Sequence, residues 1–403
     1  MSNNIGINEP VSLMEPMIPE ESTDILDNLA MELTEKTHRL AGQIHPIVQF
    51  SIGNLIRSMN CYYSNLIEGH DTHPRDIERA LAKDFSSQPK QRALQREAKA
   101  HIEVQKIIDE SPENPHLVSE DYICWLHREF CTRLPEEMLW TEDPDTKRKV
   151  KIIPGELRTE TVTVGRHIPP RPENLSNFLA RFEEAYQPDR LAKLRRVLAI
   201  AASHHRLLWI HPFFDGNGRV TRLLSHAYLK FIGLGSGLWS VSRGLARSVG
   251  EYRLRLEGAD ASRTGDLDGR GNLSAQGLVD FCQYFLSTCV DQVEYMGSLL
   301  DPTEFLRRVQ LYCEDEERAG RLPKRSFSLL REAWLMGQFE RGRAKEITNY
   351  SQRQASTVLN ELIKKRLLTS DTPKGPVKLS FPLDAVERWF PNLYPSHASA
   401  APS

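Results

Sequence analysis

Nine residues constrain this chain more than any others: His211-Pro212-Phe213-Phe214-Asp215-Gly216-Asn217-Gly218-Arg219, with Arg222 one helical turn further on. Leu194 to Ile210 before them and Val220 to Ile232 after them carry hydrophobic side chains at helical spacing. The spacing predicts helix, tight glycine-rich loop, helix. Such a loop suits an anion. Gly216 and Gly218 allow positive-φ backbone that turns N–H groups toward one point, and the following helix adds the positive end of its dipole. Arg219 and Arg222 are three apart, share a helix face, and complete a cradle for a polyphosphate. Asp215 lies at the loop mouth, where a carboxylate can hold Mg²⁺ beside phosphate oxygens. His211 precedes the loop, where an imidazole can act as a general base. A lone histidine or a lone Gly-x-Gly is usually structural. Here base, carboxylate, cradle and two arginines fall within twelve residues, which favours chemistry.

The pattern His-x-Phe-x-Asp-Gly-Asn-Gly-Arg-x-x-Arg resembles the signature of the Fic family (the Fic/Doc superfamily) at every defined position. The resemblance implies a mainly α fold: a helical bundle with a β-hairpin flap. It implies transfer of AMP from ATP to a Tyr, Thr or Ser hydroxyl of a target protein, and of the protein itself, with Mg²⁺ as cofactor. His211 would deprotonate the hydroxyl and Asp215 would hold Mg²⁺. Gly216, Asn217 and Gly218 would cradle phosphates, with Arg219 at the β-phosphate and Arg222 at the γ-phosphate. Phe213 would pin the loop to the core.

A second pattern lies upstream. Val48 to Ile67 is helical in pattern, and Gly69 is a natural terminator. Glu68 is out of place at a helix C-terminus, where the dipole disfavours negative charge. Ser64, Glu68 and Gly69 resemble the inhibitory motif of Fic proteins, whose Glu pairs with the second motif arginine, here Arg222. The resemblance therefore implies self-inhibition, and it places Glu68 among the nucleotide-site residues. The same Glu68 is also compatible with aligning water to remove AMP from targets.

Lys151 to Pro172 breaks the helical pattern with alternating β-branched residues and with glycines at Gly155 and Gly165. It reads as a hairpin. Its similarity to the family flap makes Thr161, Val162 and Thr163 the segment that docks an extended target by strand addition. Val241 through Tyr252 and Leu256 resembles the helix lining the adenine pocket. Ser248 stands near the position of a family Asn there, and only Tyr252 represents a tyrosine pair. His204 and His205 lack the i, i+4 spacing of a metal pair and read as core or surface residues.

Past residue 300 the balance of charge changes. Residues 321–380 hold thirteen Lys/Arg and five Asp/Glu, 13 − 5 = +8. Helical patterns over Ser326–Leu335, Gly342–Ile347 and Ser351 to about Arg366, then a Pro-Lys-Gly turn between β-type runs, resemble a winged helix-turn-helix. Gln352, Arg353, Gln354, Ser356 and Thr357 open its third helix with types that read base edges or phosphates. DNA is thus one candidate partner through 323–382, and protein docking is the other.

The full division is as follows: 1–20 strap-like or disordered; 21–110 N-terminal helices with the inhibitory helix at 48–69; 111–300 the Fic core; 301–322 a linker helix; 323–390 the winged helix; 391–403 a disordered tail. At 403 residues and a formal charge of −2, nothing global demands nucleic acid or membrane. No stretch nears eighteen apolar residues. The six cysteines include no Cys-x-x-Cys pair and read as reduced thiols, which suggests a cytoplasmic location. Dimerisation is implied by family analogy alone. Two alternatives stand beside adenylyl transfer: the removal of AMP through Glu68, and a DNA-binding regulator that uses the Fic domain as a nucleotide sensor.

Overall fold

The computed structural model describes residues 9–19, 24–142, 147–235 and 237–394. Helices dominate, as the 3.6-residue patterning requires. In chain order they are α1 (Asp24–Gly42), α2 (Pro46–Ile67), α3 (Pro74–Leu81), α4 (Pro89–Glu110), α5 (Glu120–Cys131), α6 (Leu175–Tyr186), α7 (Lys193–Ile210) and α8 (Asn217–Phe231), then α9 (Val241–Arg247), α10 (Val249–Asp260) and α11 (Ala275–Leu300), and finally α12 (Pro302–Arg318), α13 (Ser326–Met336), α14 (Ala344–Thr348), α15 (Gln352–Lys364) and α16 (Leu383–Trp389). The strands are β1 (Trp140–Glu142), β2 (Lys149–Lys151), β3 (Gln338–Phe339), β4 (Leu368–Thr369) and β5 (Val377–Leu379).

Several helix starts are written in the sequence. The Ser119 hydroxyl accepts from the Tyr122 N–H at 3.2 Å to cap α5. Asp301 caps α12 by accepting from the N–H groups of Thr303 and Glu304. Ser351 and Gln354 form a capping box on α15.

Two compact units emerge. The first comprises Met1–Glu35, Asn60–Gly235 and Val241–Asp291. At its centre α7 is buried along nearly its whole length, Val197 to Leu207 without a break, and packs against both α6 and α8. A helix so enclosed needs no polar face, and its histidines are accordingly inside. His204 bonds Ser225 Oγ at 2.8 Å and Tyr252 OH at 2.7 Å, and His205 pairs with Asp260 at 3.0 Å. Over 9–19 the N-terminal segment, expected to be strap-like or disordered, is tied to the first unit. Glu15 accepts from Arg181 Nε at 2.8 Å and from the Leu273 N–H at 2.9 Å, and buried Arg206 donates to the Pro16 carbonyl at 2.8 Å. Residues 1–8 and 395–403, the latter most of the expected tail, lie outside the described residues.

The hairpin sits earlier than the sequence suggested. β1 pairs antiparallel with β2, with Trp140 opposite Lys151, and residues 152–163 follow as irregular chain. Within the expected hairpin only an isolated bridge forms, Val164 to His167. The reason lies at Pro154-Gly155. Proline cannot donate to a ladder, and Gly155 takes φ +82°, so the ladder of β2 does not continue past them. The stretch is held by side chains instead. Arg158, 1% exposed, donates through Nε to the His211 carbonyl at 2.8 Å, through one terminal nitrogen to the Glu160 carbonyl at 2.9 Å, and through the other to the Pro170 carbonyl.

The second unit comprises Lys36–Met59, Ser236–Ser240 and Gln292–Ser403. Its core stacks Phe305 on Trp334, centroids 4.0 Å apart, with Trp389 and Phe390 against Phe305. α13 to α15 are followed by β4 and β5, in a three-stranded antiparallel sheet of order β3-β5-β4. α16 was not foreseen, because its seven residues are too few for periodicity to register.

Candidate active site

α7 ends at His211, which caps it in the left-handed region, φ +49°. For a residue with a Cβ this is uncommon, and Arg158 on the His211 carbonyl helps to hold it. The turn that follows is closed from inside. Asn217 Oδ1 accepts from the Phe213 N–H at 3.0 Å, and its Nδ2 donates to the Phe213 carbonyl at 2.8 Å. Asn217 thus staples the loop through its side chain. Phe213 is fully buried and lies flat on His127 of α5, centroids 3.9 Å apart and planes 7° apart. His127 Nδ1 also accepts from the Gly155 N–H at 2.9 Å. One ring therefore joins the loop to the flap. His127 gave no signal in the sequence beyond being a histidine on an apolar helix face.

The two glycines act differently. Gly216 takes φ +82° and starts α8. Gly218 is already helical, and what matters there is space: a Cβ would stand 2.5 Å from Glu68 Oε1 and 3.1 Å from an Arg222 nitrogen. Glycine lets a carboxylate from another helix approach the backbone of α8.

That carboxylate is the one expected. Glu68 forms an ion pair with Arg222, and Ser64 completes the contact, with its Oγ accepting from Arg222 Nε at 2.8 Å and its carbonyl from Arg222 NH2 at 3.2 Å. Burial pushes the Glu68 carboxyl up, but Arg222 and Arg219 outweigh it and hold it below the usual range. Gly69, φ +81°, turns the chain just beyond α2.

Arg219 has two carboxylate partners. Asp215 lies 3.1 and 3.2 Å from its NH2, and Glu97 of α4 pairs with its NH1. The Arg219 guanidinium also lies over the Phe130 ring at 5.2 Å. Burial works against its charge, but Asp215, Glu97 and Glu68 together raise its pKa above the ordinary arginine value. Glu97 was missed: it sits in a helix of ordinary charge pattern, and nothing in its neighbours marks it.

The base candidate faces the flap. A cavity of about 220 Å³ is lined by His211, Phe214, the β1–β2 residues Thr141 and Val150, and Thr161, Val162 and Thr163. Residues 161–163 make no backbone hydrogen bond to another described residue. Burial, with Arg158 nearby, pushes the His211 imidazole down to about 4, so it is a neutral base at ordinary pH. The Ser248 hydroxyl lies 2.7 Å from Tyr284 OH and 3.3 Å from the Gly244 carbonyl.

Among the described residues no cluster of three or more His, Cys, Asp or Glu forms a metal site. Asp215, with 48% of its side chain exposed, is a single accessible carboxylate. That donor set fits a Mg²⁺ bound largely through substrate phosphates.

Fold and site together define a helical protein with a glycine-turned loop and two paired arginines between two buried helices. The Fic/DOC family model matches residues 117–229. The "Protein adenylyltransferase Fic" proteins of Drosophila erecta and Drosophila melanogaster are each 44% identical over 75 residues, 19% of this chain and 15% of theirs. The overall fold is similar to that of a Fic family protein from Desulfovibrio desulfuricans G20, with TM-score 0.52 and 16% identity over 91% of this chain and 98% of that one. It is also similar to Fic-1 from C. elegans, with TM-score 0.51 and 16% identity over 69% and 74%. The chain thus carries a Fic/DOC domain over residues 117–229. Among the described residues no helix is long and apolar enough to cross a membrane.

Proposed function

We propose that the protein is an adenylyltransferase that moves AMP from ATP to a Tyr, Thr or Ser hydroxyl of a protein, and that Glu68 holds it inactive. The carrying observation is that His211 shares a cavity with flap residues 161–163 while the helix that follows its loop presents Arg219 and Arg222. An extended target segment pairs with the free backbone groups of 161–163 and brings its hydroxyl to His211. The imidazole takes the hydroxyl proton. The oxygen attacks the α-phosphorus, the bond to the bridging oxygen breaks, and pyrophosphate leaves. Arg219 and Arg222 neutralise the departing charge. Mg²⁺, held at Asp215 and on the phosphates, would add further charge neutralisation. Glu68 occupies the Arg222 donors that a terminal phosphate needs. Incubation with α-labelled ATP tests this: label should enter protein with Glu68→Gly and vanish when His211→Ala is added. No incorporation by the Glu68→Gly protein contradicts it.

The second unit supports a separate role. Arg353, Thr357, Asn360 and Lys364 of α15 lie exposed on one face, opposite buried Ala355, Val358, Leu359 and Leu362. A polar, basic helix face of this kind suits the major groove of duplex DNA. Binding of a random-sequence duplex that weakens steeply with salt would support it, and no binding at low salt would remove it.

A further inference from the structure

Each cradle arginine divides its donors between two kinds of partner. Arg222 gives Nε to Ser64, which is fully buried, and NH2 to Glu68, whose side chain is 31% exposed. Arg219 gives NH1 to Glu97, whose side chain is 0% exposed, and NH2 to Asp215, which is 48% exposed. An accessible carboxylate can exchange its partner for water, a cation or a ligand. A buried one cannot, because losing its partner strands a charge in a low-dielectric interior. Ser64 and Glu97 are therefore fixed anchors, and Glu68 and Asp215 are exchangeable. Glu97 carries a second bond. Its Oε2 lies 2.8 Å from His70 Nδ1. His70 is two residues past Glu68, and its N–H donates to the Asn65 carbonyl at 2.9 Å in the turn that ends α2.

We propose that Glu97 is a positioning residue that aims Arg219 across the cradle with one oxygen and, with the other, ties down through His70 the turn that carries Glu68. The proposal rests on the adenylyltransferase reading and extends it to the control of the site. Catalytic and inhibitory segments then share one buried carboxylate. Weakening the His70 bond loosens the Glu68 plug, while weakening the Arg219 bond blunts the recognition of a phosphate chain.

Calorimetric titration with Mg-ATP and with AMP separates this from a merely structural role. In the Glu68→Gly protein, adding Glu97→Gln should weaken ATP about tenfold, the loss of one charge-assisted contact, while AMP changes less than about twofold. With Glu68 intact, His70→Ala should tighten ATP by about threefold or more, and His70→Gln, which keeps a donor, should restore the native affinity. ATP and AMP weakening together in Glu97→Gln, or no gain of ATP affinity in His70→Ala, overturns the proposal. His70 is 36% exposed, so its variants fold even where Glu97→Gln does not. Failure of the Glu68→Gly protein itself to bind ATP would instead indict the adenylyltransferase reading.

Discussion

Glu68→Gly is the perturbation whose size the structure fixes best. It removes the carboxylate on Arg222 NH2 and leaves Ser64 on Nε and, through its carbonyl, on NH2. A hydrogen bond to a charged group contributes about 1.5–3 kcal/mol. With 31% of the Glu68 side chain exposed, solvent screening places this one near the low end, about 1.5 kcal/mol. A terminal phosphate must displace that contact before it reaches Arg222, so its removal should raise ATP affinity about tenfold. AMP has no phosphate to compete there and should gain little. The cost falls on stability. Arg222, with 3% of its side chain exposed, loses a partner, at about 1–3 kcal/mol, or about 2–4 °C of Tm per kcal/mol. Mg-ATP at about a hundred times its Kd should recover about 2.7 kcal/mol. The assay is calorimetric titration on a His211→Ala background, which blocks turnover, with parallel thermal melts. Equal gains for ATP and AMP would mean general loosening of the site, and an unchanged ATP affinity would mean that Glu68 guards nothing; either refutes the reasoning.

Other outcomes follow from the same geometry. The acid limb of kcat/KM in the Glu68→Gly protein should fall near pH 4, where burial has pushed His211, and an inflection near the ordinary 6.5 would count against His211 as the buried base. Burial likewise pushes His127 down to about 4 and His101 to about 3. The unfolded chain therefore binds more protons than the folded one below about pH 6.5. Stability should be complete above that pH and decline as it falls toward 4 and below, which urea melts at stepped pH would show. Val162→Pro removes an N–H from the docking segment and should raise the KM for a protein target several-fold while ATP affinity holds; a shift in ATP affinity instead would separate the flap from target docking. At Gly155, φ +82°, an alanine Cβ would stand 2.9 Å from the Arg128 Cβ and 3.1 Å from the Cys124 carbonyl. Gly155→Ala should thus cost about 2 kcal/mol or more, measured as a lowered denaturation midpoint.

The long helices were legible because their apolar spacing is sustained over three or more turns, as in α2, α7 and α8. The motif was legible because Gly216, Asp215, His211 and the two arginines fall within twelve residues. Glu68 could be found because a carboxylate at a helix end runs against the dipole. What stayed hidden was set by tertiary contact alone. Glu97 and His127 have no local signature, and their meaning comes from Arg219 and Phe213, 122 and 86 residues away. The hairpin was misplaced for a related reason. Alternating Thr161, Val162, Thr163 and Val164 have strand propensity, but a strand forms only where a partner lies alongside, and here β1 finds β2 first.

Intact-mass spectrometry of the Glu68→Gly protein after incubation with Mg-ATP tests adenylyl transfer most directly. The expected result is a gain of one adenylyl unit or more that is absent when His211→Ala is added. A protein that binds Mg-ATP yet stays at its starting mass, alone and with candidate target proteins, would contradict it.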